Sequence, residues 1–372
     1  MRTADPAAPP VFRLTSPEEL VRALPHLLGF HPSRSLVLVG LAGARHQVVA
    51  CVRADLPPEG VDLRPGPDED PAEATARAAR ELGRYAAGRL VAALRVDART
   101  AGTPRRRHHA LLVVVDAPGD DPPPGVAAAR DEALVAGCQE GLGSTEVLDA
   151  LLVRGDRWWS LFCADPVCCP PAGRPLGPGA PSPYEVAAVV EGSVPAADRQ
   201  AVVDRLRPAP DDERAAFTAA CAAGAAWWAG VPDRPAQRRE LLAAAGTLGA
   251  PATAELAGSA TAGRLVAALV DLPLRDAAAL LADPDVALPG WLALARLATG
   301  EPSAPVLTVV GWLAYRRGDG VLARTAFEGA LAAVPDYRLA VLLLAMLDGG
   351  LPPSLLEAEG TATLVADLDR AW

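Results

Sequence analysis

"ALLVVVD", Ala110 to Asp116, is an unbroken apolar run closed by an aspartate. So short and continuous a run lacks the alternation of a half-exposed strand and reads as a strand covered on both faces. Such a strand needs partners beside it and helices over it, and the flanking sequence supplies both. Upstream, "LTSPEELVRALPHLLGF" opens as a capped helix: Thr15 or Ser16 can accept from the exposed amides, and Pro17 suits the first turn. Leu20, Leu24, Leu27 and Leu28 then recur at helical spacing. "SLVLVGL" (Ser35 to Leu41) and "HQVVACVRADL" (His46 to Leu56) flank the Gly-containing turn "AGAR" and read as a β-hairpin. A proline-rich acidic loop and a helix from about Pro71 to Leu94 lead into the central run.

Downstream, a helix near Val126 to Gly141 precedes "EVLDALLVRGDRWWSLFC", a second hairpin turning at Arg154–Asp156. The order is helix, two strands, helix, strand, helix, two strands, which makes an α/β domain: a mixed sheet with covering helices. "PPAGRPLGPGAPSPYE" then breaks all periodicity, and the domain change is expected between Gly173 and Ser193. Domains of 1–180 and 181–372 follow, and a chain of 372 residues is long enough for two. Beyond the break the strand signal disappears. Helices are expected at Ala196–Leu206, Asp211–Trp228, Pro235–Leu248, Gly263–Leu269, Arg275–Leu281 and Gly290–Ala298, with three more near the end. "APVLTVVGWLAYRRGDGVLARTAFEGALAAVPDY" (Ala304 to Tyr337) follows the tetratricopeptide pattern: Gly311 at a helix crossing, Gly318–Asp319 as the turn, Ala323, Phe327 and Ala330 as contacts, Pro335 as the close. One clear copy is present, so the second domain reads as an all-α tetratricopeptide-like helical bundle.

Half the residues are hydrophobic (51%) and only 4% aromatic, so Ala, Leu and Val must fill the cores. The chain contains no Lys, Asn or Ile, and all 35 basic side chains are Arg. Losing three residue types with AT-rich codons points to a GC-rich genome. It also excludes Schiff-base lysines, P-loop and kinase lysines and Ser-x-x-Lys hydrolases. A net charge of −10 argues against broad nucleic-acid binding, and the one basic run, "PRRRHH" (Pro104 to His109), reads as a loop. The N-terminal "MRTADPAAPPVF" lacks the apolar core of a secretory signal, and the charge-free stretch from Ala215 to Pro232 reads as a buried helix and not a membrane span. A cytoplasmic location with reduced cysteines is expected.

"WWSLFCADPVCCPP" (Trp158 to Pro171) holds three of the six cysteines. A structural zinc site wants four ligands, commonly paired as Cys-x2-4-Cys. Cys163 and Cys168 stand at the edge of that spacing, and adjacent Cys168 and Cys169 point apart in an extended chain. A fourth ligand would come from Cys51, Cys138, Cys221 or a distant His. A redox role lacks a Cys-x-x-Cys and has only Arg157 and Arg174 nearby. The favoured reading is packing: Cys163 ends a strand and the cysteine pair fills space as small hydrophobes under the loop. Trp158 and Trp159 point to opposite faces, one into the sheet's core and the other toward a helix or the second domain.

"LLGFHPSRS" (Leu27 to Ser35) is the second motif. Gly29 ends the first helix with Phe30 folded back on it, and His31 is either a hydrogen-bonded structural residue or a general base near Ser33, Ser35 or a carboxylate. "RGD" (Arg154 to Asp156) is a hairpin turn, and the pairs Asp120–Asp121 and Asp211–Asp212 sit in Pro-rich loops or at helix starts. No Gly-x-Ser-x-Gly, His-Glu-x-x-His or Gly-x-Gly-x-x-Gly is present. No catalytic residue, cofactor or metal ligand is assigned. Gly29, His31, Trp159, Cys163, Cys168 and Cys169 are the candidates for a functional site.

Taken with the closing "AYRRGDGVLARTAFEGALAAVPDYRLAVLLLAMLDGGLPP", the Gly-Phe-His-Pro and Cys-Cys-Pro-Pro corners make the chain similar to an uncharacterised actinobacterial family, domain of unknown function 4192, from about Leu14 to Pro353. The resemblance implies a soluble intracellular bacterial protein and carries over no activity and no catalytic residues. The leading functional expectation is an interaction or scaffold protein that docks a protein or peptide through its helical domain, without nucleic acid or membrane. The alternatives are a hydrolase-type enzyme with a site near His31 and the Trp158–Cys169 corner, or a zinc-stabilised module. Oligomeric state stays open.

Overall fold

The computed structural model describes residues 16–43, 46–56, 70–100, 107–116, 124–177, 181–190, 193–246 and 248–356. The chain divides into two compact units, Met1–Asp198 and Arg199–Trp372. In the first, α1 (Pro17–Leu28) starts at Ser16, whose hydroxyl accepts from the Glu19 amide at 3.2 Å, and ends at Gly29 with φ +78°. Thr15, the other cap candidate, lies outside the described residues. β1 (Ser35–Ala42) and β2 (Gln47–Asp55) form the first hairpin; residues 44 and 45 of its turn are outside the described residues. Then come α2 (Pro71–Thr100), β3 (His108–Val115), α3 (Pro124–Leu142), β4 (Glu146–Arg154), β5 (Arg157–Ser160) and a two-residue β6 (Arg174–Pro175). The six-stranded sheet has the order β2-β1-β3-β4-β5-β6. Only β3 and β4 run parallel, joined through α3.

Alternation along the strands sorts the core into two clusters. Leu36, Leu38, Leu112, Val114, Ala150 and Leu152 pack with Leu90 of α2 and Leu134 of α3. Val37, Val39, Val113, Val115, Leu151 and Val153 pack with Leu20, Val21 and Leu24 of α1. β3 contributes to both clusters, so "ALLVVVD" is covered on each face. The second layer is tight because α2 and α3 meet on glycine. A β-carbon at Gly137 would run into the backbone of Arg80, and one at Gly83 into that of Leu134 and Cys138. Gly137→Ala is therefore expected to cost about 1–3 kcal/mol. Gly88→Ala, on the open side of α2 with nothing within 4 Å of the added carbon, should stabilise by about 0.5–1 kcal/mol. Urea midpoints check the pair, and equal effects of one sign would contradict the close approach.

A charge cluster ties the crossover to the strand ends. Asp116, just past β3, accepts from Arg130 Nη2 of α3 at 2.8 Å and from Arg154 Nε at the end of β4 at 2.6 Å. Asp131 accepts from the same two arginines at 2.7 and 3.1 Å.

The first unit extends to Asp198, past the boundary expected at 180, because the Pro-rich stretch returns to the sheet. β6 pairs with β5, α4 (Pro183–Val190) packs on α1, and Phe30 bridges to Ala196. The basic run "PRRRHH" lies partly outside the described residues, as do Asp120 and Asp121. Its two histidines enter β3, with His108 Nε2 2.8 Å from Asp97 Oδ2.

The second unit is helical among its described residues: α5 (Arg199–Val203) with a 3-10 turn, α6 (Asp211–Ala229), α7 (Arg234–Gly246), α8 (Thr253–Ala257), α9 (Ala260–Ala268), α10 (Leu272–Leu280), α11 (Pro284–Leu297), α12 (Ser303–Arg316), α13 (Gly320–Ala333) and α14 (Arg338–Asp348). α6 crosses α9 where Gly224 faces Gly263, and α12 packs on α13 with Gly311 beneath the Phe327 ring. Gly318 takes φ +78° in the turn between them, and Asp319 caps α13 by accepting from the Leu322 amide. Ala323, Phe327 and Ala330 are buried. Among the described residues no helix is long and apolar enough to cross a membrane.

Candidate functional site

The β4–β5 hairpin delivers the cysteine-rich corner. At its end, Leu161 N–H still donates to the Ala150 carbonyl at 2.7 Å, so the chain leaves the sheet one residue past β5. Ser160 manages that exit: its hydroxyl donates to Asp149 Oδ1 at 2.6 Å and accepts from the amides of Phe162 and Cys163 at 3.2 and 3.1 Å. Asp165 then reverses the chain. Its carboxylate accepts from the Val167 amide at 2.8 Å and its carbonyl from the Cys169 amide at 2.7 Å, a turn for which the Asp-Pro dipeptide is suited. The return leg is pinned by Trp159, whose indole N–H donates to the Pro171 carbonyl at 3.1 Å and whose ring lies on Gly173. Gly173 has φ +75°, and a β-carbon there would strike the Trp159 ring. Arg157 closes the loop by donating to the carbonyls of Ala172 and Gly173.

The turn brings Cys163, Cys168 and Cys169 together, with their sulfurs all within 4.8 Å of one another. This corrects the packing expectation. Cys168 is exposed and the other two are half-buried, so the cysteines do not fill space as small hydrophobes. The objection that adjacent cysteines diverge holds for extended chain, and here residues 166–168 are a turn. Thiolates sharing a tetrahedral zinc lie about 3.8 Å apart, given Zn–S bonds of about 2.3 Å. Separations of up to 4.8 Å are within about 1 Å of that spacing. Trp158 and Trp159 do face opposite ways: Trp158 joins the α1-side cluster and Trp159 the α2/α3-side cluster.

The thiols are electrostatically unequal. The Asp165 amide, then Cys169 and Cys168, hydrogen-bond to the Cys163 sulfur and hold its pKa below that of an ordinary thiol. Donation to Cys163 pushes Cys168 up. The other cysteines lie elsewhere. Burial pushes Cys51 in β2 and Cys138 in α3 up to about 12, and Cys221 in α6 up to about 11. Since the thiolate is the nucleophile, iodoacetamide at pH 8 should label Cys163 first and leave Cys51, Cys138 and Cys221 unmodified in the folded protein. Peptide mass spectrometry reads this, and labelling of Cys138 as fast as Cys163 would contradict it.

His31 does not join the corner. It is exposed, its amide donates to the Ala196 carbonyl at 3.0 Å, and its imidazole has no partner among the described residues. It precedes β1, three strand positions from β5 in the sheet order, or about 14 Å at the usual strand spacing. Gly29 serves the helix stop, and its carbonyl accepts from the Ala196 amide at 2.8 Å. Of the six candidates, Trp159, Cys163, Cys168 and Cys169 share one loop, while Gly29 and His31 belong to a structural corner. Asp149, Ser160 and Asp165, which shape the loop, were not singled out from the sequence. The Asp-Pro dipeptide was the one available signal, and Asp149 and Ser160 meet only through strand register.

A family model described as "Domain of unknown function (DUF4192)" matches residues 17–354. No curated protein and no solved structure matches the chain.

Proposed function

The chain belongs to the DUF4192 family, a membership that assigns no chemistry, and we propose that its α/β unit is a metal–thiolate module that loads one thiophilic ion on Cys163, Cys168 and Cys169. The supporting observation is the convergence of three sulfurs within 4.8 Å on a loop tied down at both ends. Soft thiolate donors favour ions such as zinc or Cu(I) over magnesium or calcium. The loop's amide donor to Cys163 supplies the outer support that thiolate ligands use. Zinc titration against a chromophoric chelator tests this: one equivalent bound per chain, lost in the Cys163→Ser/Cys168→Ser/Cys169→Ser variant, supports it. Equal binding by that variant would remove it.

The helical unit supports a second reading, docking of a protein or peptide by a tetratricopeptide-like pair. The α12–α13 hairpin, with Gly311 against Phe327 and a Gly318 turn, is what favours it. Val341 and Leu342 leave an apolar strip on α14, of the kind repeat units stack against neighbours. Leu342→Glu in the full chain should abolish capture of a partner without lowering the melting temperature, and unchanged capture would count against this face.

A further inference from the structure

Resting on the metal–thiolate reading, we infer that the ion on Cys163, Cys168 and Cys169 keeps one coordination position that no other Cys or His of the α/β unit fills, and that it takes an exogenous thiol. Five of the six cysteines and all five histidines belong to this unit and lie among the described residues. Cys51 is in β2 and Cys138 is buried in α3. His26 sits 3.1 Å from the Ser193 hydroxyl. His31 stands before β1, and His46 and His109 meet edge to face at 5.0 Å between centroids, with His108 on Asp97. Among the described residues of this unit, none of these groups joins the three sulfurs in a shared cluster. Asp165 Oδ1 accepts from the Val167 amide, and its carboxylate is not among the groups within 4.8 Å of the three sulfurs.

A structural zinc site is closed by four protein ligands and contributes to folding outright. This loop instead holds its shape by hydrogen bonds that Ser160, Trp159 and Arg157 donate and one that the Asp165 carboxylate accepts. Its outermost ligand, Cys168, is exposed, so solvent reaches the ion. Three thiolates around a divalent zinc leave the site with one negative charge. That makes the ion a poor activator of water but a good match for one more soft donor, because four-sulfur zinc is a stable coordination set. In the exchange the thiol sulfur bonds to the metal as the metal–water bond breaks. The S–H proton passes to solvent, and no electrons change hands. Thiol affinity should therefore rise about tenfold per pH unit below the pKa of the added thiol.

The test uses the full chain with Co(II) as the probe metal, protein in excess over cobalt, a phosphine reductant and 2-mercaptoethanol as the probe thiol. The expected result is a sulfur-to-cobalt charge-transfer band on metal addition that grows by about one third with the thiol, the step from three sulfurs to four. Azide should move the visible ligand-field bands without that growth. A charge-transfer band that the thiol leaves unchanged would overturn the inference while leaving the metal reading intact. Absence of any such band would remove the metal reading, and the inference with it.

Discussion

Cys163→Ser is expected to weaken zinc binding by more than about 100-fold, exceeding the 10–100-fold typical of losing a group that only supports a ligand. Cys163 is the sulfur on the leg that leaves the sheet, where the Ser160 hydroxyl holds the Cys163 amide at 3.1 Å. A serine hydroxyl in its place is not deprotonated near neutral pH and is a hard donor, so the ion keeps two thiolates on adjacent residues. Asp165→Ala should fall in the 10–100-fold range, because it removes the carboxylate that folds Val167 back but leaves all three sulfurs. Competition titrations with a chromophoric chelator measure both. If Asp165→Ala weakened binding as much as Cys163→Ser, the loop's shape and not its ligands would be deciding affinity. If neither changed it, the sulfurs would not be the ligands.

Asp116→Ala is expected to cost about 3–5 kcal/mol of folding stability, the usual result of stripping one partner from a buried ion network. The side chains of Asp116 and Arg130 are 3% and 8% exposed, and Arg154 donates to the same carboxylate. Removing it leaves two guanidinium groups facing one remaining carboxylate, Asp131, in a site with little water. The loss should be read as a fall in urea midpoint at unchanged slope. Asp55→Ala is the comparison. Its partner is Arg53, but its own side chain is 66% exposed, so the effect should be within about 1 kcal/mol. Equal losses at the two positions would contradict a network that fastens α3 to the ends of β3 and β4.

The sheet was legible because its strands carry their own signals. "ALLVVVD" announces burial on both faces, "LVRGDRW" announces a turn, and Ser16, Pro17 and Gly29 bracket α1 by capping chemistry. The helices α4 and α8 and the strand β6 were not foreseen. Each is short, and β6 exists only because Arg174 and Pro175 find Arg157 and Trp158 across a long loop. The boundary moved for the same reason: proline density marks an irregular path, and the chain still returned to its first unit. At the cysteine-rich loop, residue spacing argued for an arrangement that the structure does not have. Neighbouring cysteines diverge in extended chain, and the turn begun by Asp165 and Pro166 removes that condition. Ser160 and Asp149 lie eleven residues apart in sequence and meet at 2.6 Å through the β4–β5 register, a relation no local pattern encodes.

Whether Cys163, Cys168 and Cys169 act as one metal site is tested most directly by X-ray absorption at the zinc edge on the loaded full chain, in buffer free of thiols. Three sulfur scatterers at about 2.3 Å and one lighter scatterer near 2.0 Å are expected. A zinc shell made only of oxygen and nitrogen would contradict a thiolate site in this loop.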